Sequence, residues 1–226
     1  MDTCFMCDLP ATTDDHIPPL CIFPEQKDLG IDYRKNLITV PACENHNLST
    51  SLDDEYLMAI IAFHWRNNKV AYGQVTSKIM RAFRHNKRYF DLFFGDGKNK
   101  FIFWNDEALV TTSVDIDRFK RVFEKIARGI YFHHLGIKWN GDVLVQPLSF
   151  VITHDEAQTH ALMSLMQNTQ EINILCSSEP PVGENPDVFF YQIAYNDPLK
   201  STALRMVFYN GFVVIAVLMD NPYKNS

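Results

Sequence analysis

No run of apolar residues in this chain is long enough to cross a bilayer, and the N-terminus lacks the charged-then-apolar form of a signal peptide. A membrane-spanning or exported protein is therefore set aside, and a cytoplasmic one is expected. There is no internal repeat, coiled coil or low-complexity tract, and the C-terminal half has no nucleotide-binding glycine pattern and no second metal cluster. Cysteine is scarce, at five residues, two of them in a C-x-x-C; this suits metal ligation in a reducing compartment better than a disulfide framework. Cys21 and Cys176 fall outside any hook and read as small buried hydrophobes. What remains is a 226-residue chain with 46% hydrophobic content, enough for one sizeable soluble domain or two small ones.

Excess positive charge is missing too. The formal net charge is −6, which argues at first against a nucleic-acid partner. The way the charge is distributed argues otherwise. Residues 1–56 hold 3 Lys/Arg against 11 Asp/Glu, whereas residues 57–100 hold 9 against 2. A basic block is suited to phosphate contacts; a solvated helix face is the plainer alternative.

Two short hooks stand near the N-terminus, Cys4-Phe5-Met6-Cys7 and Cys43-Glu44-Asn45-His46. Zinc takes four thiolate or imidazole ligands in a tetrahedron, and paired C-x-x-C and C-x-x-H hooks are a usual way to supply them. A plain zinc knuckle has no need of Asp15-His16 between its hooks, nor of Asn47 directly after the last ligand. Those additions suit a divalent-metal nuclease.

Residues 4–57 resemble the zinc-clamped subgroup of HNH (ββα-metal) endonucleases. The resemblance is carried by Cys4-x-x-Cys7, Asp15-His16-Ile17-x-Pro19, Asn36-Leu37-Ile38-x-Val40, Cys43-x-x-His46-Asn47 and Asp54-Glu55-Tyr56-Leu57, in the family's order. It covers about a quarter of the chain. Two departures stand out: His46 where a cysteine is usual, and Ser51 one helical turn after Asn47, where a second histidine could have ligated metal.

The resemblance implies an HNH module at 1–56; the residues beyond it read as a helical basic extension at 57–97 and a mixed α+β unit with antiparallel strands at 98–226, an α+β fold overall. The resemblance also implies structural Zn²⁺ on Cys4, Cys7, Cys43 and His46, and catalytic Mg²⁺ or Mn²⁺ on Asp15 and Asn47, with Asp14 as the alternative ligand if the register slips by one. His16 becomes the general base and Asn36 the residue that orients it. Phosphodiester hydrolysis needs an activated water and charge stabilisation at the phosphate and leaving oxygen; an imidazole serves the first at neutral pH, and one hard cation on oxygen ligands the second. Nucleic acid, DNA first, is the expected partner, through Lys78, Arg81, Arg84, Lys87 and Arg88. A protein partner could engage the C-terminal unit, and restriction or anti-phage defence is a setting suggested by analogy alone. The competing reading is a non-catalytic zinc module that binds nucleic acid or protein. In it, Asp15-His16 is a turn dipeptide before Pro18-Pro19 and Asn47 an ordinary helix-start residue.

Local signals place strands at 12–17 and 36–41, and a helix from an S-x-x-D capping box at Ser51 to about Asn68. A second helix is expected over 76–90, and a turn at Gly95-Asp96-Gly97. Further on come paired strands at 101–104 and 108–114, then a helix over 115–135 closed by Gly136. Strands at 148–153, 187–195, 203–209 and 212–218 follow, with a helix over 155–168 and a loop over 177–186. The last two strands flank an Asn210-Gly211 hairpin turn. His133-His134 fall at a helix C-terminus, and His154 and His160 read as surface or capping residues.

Overall fold

The computed structural model describes residues 2–47, 51–94, 100–104, 107–111, 114–148, 168–196 and 201–220. It is a mixed α+β fold with antiparallel sheets. The chain begins with two short strands, β1 (Thr13–His16) and β2 (Thr39–Ala42), paired so that Asp15 faces Val40 and His16 faces Thr39. Between them lie a 3-10 turn over Leu20–Ile22 and the one-turn helix α1 (Gln26–Leu29). Next come the short α2 (Glu44–Asn47) and α3 (Ser51–Ala62).

α3 ends six residues before the expected Asn68, because Asn68 has another task. Its side chain caps α4 (Lys69–Gln74), accepting from the Val70 and Ala71 amides. α4 runs through a π-helical turn, Val75–Ile79, into α5 (Met80–His85). The helix expected over 76–90 thus starts earlier, and it breaks at Asn86, whose extended backbone separates α5 from α6 (Lys87–Phe94). The strands β3 (Lys100–Trp104) and β4 (Glu107–Thr111) pair antiparallel, as expected.

α7 (Ile116–Leu135) occupies the middle of the molecule. Asp115 caps it by accepting from the Arg118 amide, and Gly136 ends it in the left-handed region at φ 72°. Phe119, Val122, Phe123, Ile126 and Ile130 are buried at helical spacing. One side of α7 packs on α3 and β2; there the Tyr56 hydroxyl oxygen accepts from the Asp115 amide, and Arg118 lies over the Tyr56 ring. At Gly129 an added Cβ would fall 2.7 Å from Ile17 Cγ1, so only glycine lets the helix seat against the residue that follows His16.

The other side of α7 packs on a five-stranded antiparallel sheet. Its strands are β5 (Asp142–Pro147), β6 (Val182–Asn185), β7 (Phe189–Asn196), β8 (Ser201–Phe208) and β9 (Phe212–Met219), in the order β5-β9-β8-β7-β6. Cross-strand pairs Leu204–Ala216, Met206–Val214 and Phe208–Phe212 are all buried. A helix over residues 168–177 also meets this sheet, with Asn173 accepting from Arg205 at 2.8 Å and the Ser177 carbonyl accepting from Gln192. β5 lies where no strand is expected from the sequence, and β6 inside the expected 177–186 loop. Of the strand at 148–153 and the helix at 155–168, all but the end residues Leu148 and Asn168 lie outside the described residues.

The β8–β9 hairpin differs from expectation in an informative way. Positive φ falls on Tyr209 (48°) and Asn210 (58°), one residue before the Asn210-Gly211 pair. Gly211 is needed for space instead: a Cβ there would lie 2.4 Å from the Arg66 carbonyl oxygen. The hairpin tip presses onto the α3–α4 connection, and the Asn68 amide donates to the Tyr209 carbonyl at 2.9 Å. One contiguous apolar core runs from Cys4 to Leu218, across both the 56/57 and 97/98 positions.

Candidate metal cluster and adjoining cleft

The first hook is a tight knuckle: the Cys4 amide donates to the Leu9 carbonyl at 2.9 Å, and the Met6 amide donates to Cys4 Sγ. The Phe5 amide reaches the Pro41 carbonyl at 2.8 Å, which lays the knuckle along β2. The second hook begins where β2 ends, and the His46 amide donates back to the Cys43 carbonyl. The four ligand atoms of Cys4, Cys7, Cys43 and His46 lie within 4.8 Å of one another. His46 Nδ1 is 3.4 Å from Cys4 Sγ and 3.3 Å from Cys43 Sγ, and the Cys7 and Cys43 sulfurs are 3.9 Å apart. A tetrahedral ion with sulfur at about 2.3 Å and nitrogen at about 2.0 Å has edges of about 3.8 and about 3.5 Å. The donor set and its spacing fit a metal such as zinc. Lys138, just beyond α7, donates to the Cys7 carbonyl at 2.8 Å, so the C-terminal half also buttresses the knuckle.

Beside this cluster is a cleft of about 200 Å³. Asp15, His16, Asn47, Ser51, Asp54 and Glu55 line it together with the Pro19–Cys21 segment. Asn47 is tied to the strand: its Nδ2 donates to Thr13 Oγ1 at 3.1 Å and to the Asp14 carbonyl at 3.2 Å. A carbonyl can only accept, so the amide nitrogen faces β1 and the oxygen is turned away from it. Asp14 is exposed. His16 is half-buried, and among the described residues its ring has no hydrogen bond. Asn36 sits in a turn at φ 50°, a conformation asparagine tolerates. Among the described residues no hydrogen bond joins its side chain to His16.

Asp15 is only 5% exposed, and its partner comes from α7: Lys125 Nζ lies 2.7 Å from Oδ2, held by charge, off the hydrogen-bonding direction. Nothing near residue 15 in sequence announces Lys125. The only signal is a lysine between Val122 and Gly129 on a helix stripe that is otherwise apolar.

The Pro19–Cys21 wall is held from several directions. Gln74 Nε2 and Lys78 Nζ both donate to the Cys21 carbonyl, at 2.8 and 3.2 Å, and the Tyr209 hydroxyl donates to the neighbouring Ile22 carbonyl. Burial, then the nearby Asp54 charge, pushes the Cys21 thiol up to about 12, so it stays protonated. Cys176 is likewise raised to about 11 by burial. Both behave as small packed residues.

The five basic residues separate into two groups. Lys78 is turned inward onto the cleft wall, and burial lowers its pKa. Arg81 makes a two-pronged pair with Asp28 at 3.0 and 2.9 Å, and that hydrogen-bonded pairing holds the Asp28 carboxyl below its usual range. Arg84, Lys87 and Arg88 are exposed, with no ion pair among the described residues. They stand on both sides of the Asn86 break, beside Tyr89, whose hydroxyl donates to the Glu55 carbonyl at the cleft.

No helix among the described residues is long and apolar enough to cross a membrane. In comparisons with known proteins, no family model, no curated protein and no solved structure matches this chain.

Proposed function

We propose that the chain is a metal-dependent endonuclease of the HNH type, with a structural zinc on Cys4, Cys7, Cys43 and His46, acting on phosphodiester bonds in DNA. The observation that carries this reading is the shared cleft: Asp15, His16 and Asn47 line one opening directly beside the four-ligand cluster. Asp15 and Asn47 bring one carboxylate and one amide oxygen, a donor set that suits Mg²⁺ or Mn²⁺. A hard cation held there would neutralise charge at the scissile phosphate and on the leaving oxygen.

The protein's own part is proton transfer and alignment. His16 takes the proton of the attacking water, a task for which its ring has no competing partner among the described residues. Asn36 acts through its backbone: its positive φ turns the chain toward β2, where the Ile38 carbonyl accepts from the Ile17 amide beside His16. Asn47 links the metal cluster to the cleft, because it follows His46 and holds β1. Arg84, Lys87 and Arg88, exposed on the helices around Asn86, supply phosphate contacts; Lys78 and Arg81 hold the surrounding structure.

The non-catalytic alternative draws on one observation, the prior engagement of Asp15 by Lys125. Supercoiled plasmid with Mg²⁺ or Mn²⁺ separates the two readings. The parent should nick or linearise it, and His16→Ala should lower the rate by about 10²–10⁴-fold with zinc content and circular dichroism unchanged. Equal rates for parent and variant would remove the catalytic assignment.

A further inference from the structure

Among the described residues only two charged residues are buried as a whole, and they are partners: Asp15 and Lys125, each 5% exposed. Burying an ammonium is expensive, and an apolar side chain of similar length would satisfy packing at less cost. The lysine is nevertheless set against the one buried carboxylate that also lines the cleft. It is delivered there by a rigid element, since α7 approaches the end of β1 closely enough that Gly129 has no room for a Cβ beside Ile17.

Resting on the endonuclease reading, we propose that Lys125 is a positioning residue that cancels the charge of Asp15, so that the cleft holds a divalent cation tightly only when a nucleic-acid phosphate supplies the missing negative charge. The pair occupies Oδ2 and confines Asp15 to a single-oxygen ligand role. Asp54 and Glu55 line the same cleft but do not join Asp15 in a cluster of three or more ligand atoms; among the described residues the one such cluster is the Cys/His set. With Asp15 neutralised, Asn47 contributes only a dipole. Metal and phosphate then bind as a unit, and each raises the affinity of the other by the same factor.

The test uses the zinc-loaded full chain carrying His16→Ala, which keeps a DNA duplex intact. Mn²⁺ is titrated, and the free ion is read by electron paramagnetic resonance, with and without a short duplex. Weak binding alone, tightened about tenfold or more by duplex, is expected for this parent. Lys125→Met should tighten duplex-free binding by about tenfold or more, because a unit charge is removed next to the ligand. The duplex should then add little. Lys125→Gln, which retains a polar head, should move the same way and serves if the methionine variant does not fold. Unchanged Mn²⁺ affinity in both variants, with the duplex effect intact, overturns the role of Lys125 while plasmid cleavage by native His16 protein keeps the endonuclease reading standing. Absence of any cleavage by the native protein with Mg²⁺ or Mn²⁺ overturns both.

Discussion

Breaking the Asp15–Lys125 pair should expose how much stability the molecule stores behind its cleft. The charges are 2.7 Å apart with both side chains 7% exposed. At an effective dielectric constant of about 20, Coulomb attraction at that separation is about 6 kcal/mol, and desolvation of the two ions takes back much of it. Removing one partner is costlier than the net worth of the pair, because the survivor stays buried and uncompensated. A penalty of about 3–5 kcal/mol is expected for Asp15→Asn or Lys125→Met. In a chain of this size that corresponds to a fall in melting temperature of about 6–20 °C, at roughly 2–4 °C per kcal/mol. The double variant should recover much of the loss, since a neutral amide beside a thioether strands no charge. Urea and thermal unfolding of the parent, both singles and the double would measure the coupling. A fall of less than about 2 °C in both singles, or a double equal to their sum, would refute the reasoning.

Three further outcomes follow from the geometry. Cys43→Ser should release one metal per chain, measured by elemental analysis, and unfold the N-terminal hooks, because metal binding there is coupled to folding; a metal-free chain with those hooks intact would count against it. Replacing Arg84, Lys87 and Arg88 with alanine should weaken DNA binding for all sequences alike and flatten the salt dependence by about 0.9 log unit per lost phosphate contact, and an unchanged slope would leave that surface merely solvated. Arg81→Met should act on stability in a pH-dependent way. Arg81 depresses the Asp28 pKa, so the pair's contribution is present above the unfolded carboxylate value of about 3.9 and is lost as pH falls through the lower folded value. The parent and variant unfolding curves should therefore differ at neutral pH and converge in acid.

Legibility in the sequence follows the range of the determining interaction. α7 is readable to within a residue at both ends, since Asp115 and Gly136 act within one turn of themselves. The metal cluster is readable because each hook brings two ligands within three residues. α4 is not, because the Asn68 cap looks like the tail of the preceding apolar run until Phe63–Asn67 are seen to turn under the hairpin tip. Gly211 stands out in the sequence as a turn residue, yet the neighbour that demands it is Arg66, about 145 positions away. Lys125 cannot be assigned from sequence at all: its role is set by Asp15, and no local pattern links residues 110 positions apart.

The Tyr209 hydroxyl, bonded to the Ile22 carbonyl across 187 residues, has a consequence for the order of assembly. The cleft wall receives this tie only after the 187 positions that separate the two residues have been synthesised. Closing so large a loop costs entropy before any contact repays it, and folds dominated by such closures are slow. A chain still emerging from the ribosome would therefore carry its paired Cys/His hooks without a finished cleft. On the endonuclease reading proposed above, latency during translation would then need no inhibitor, only the delay before the β8–β9 hairpin arrives.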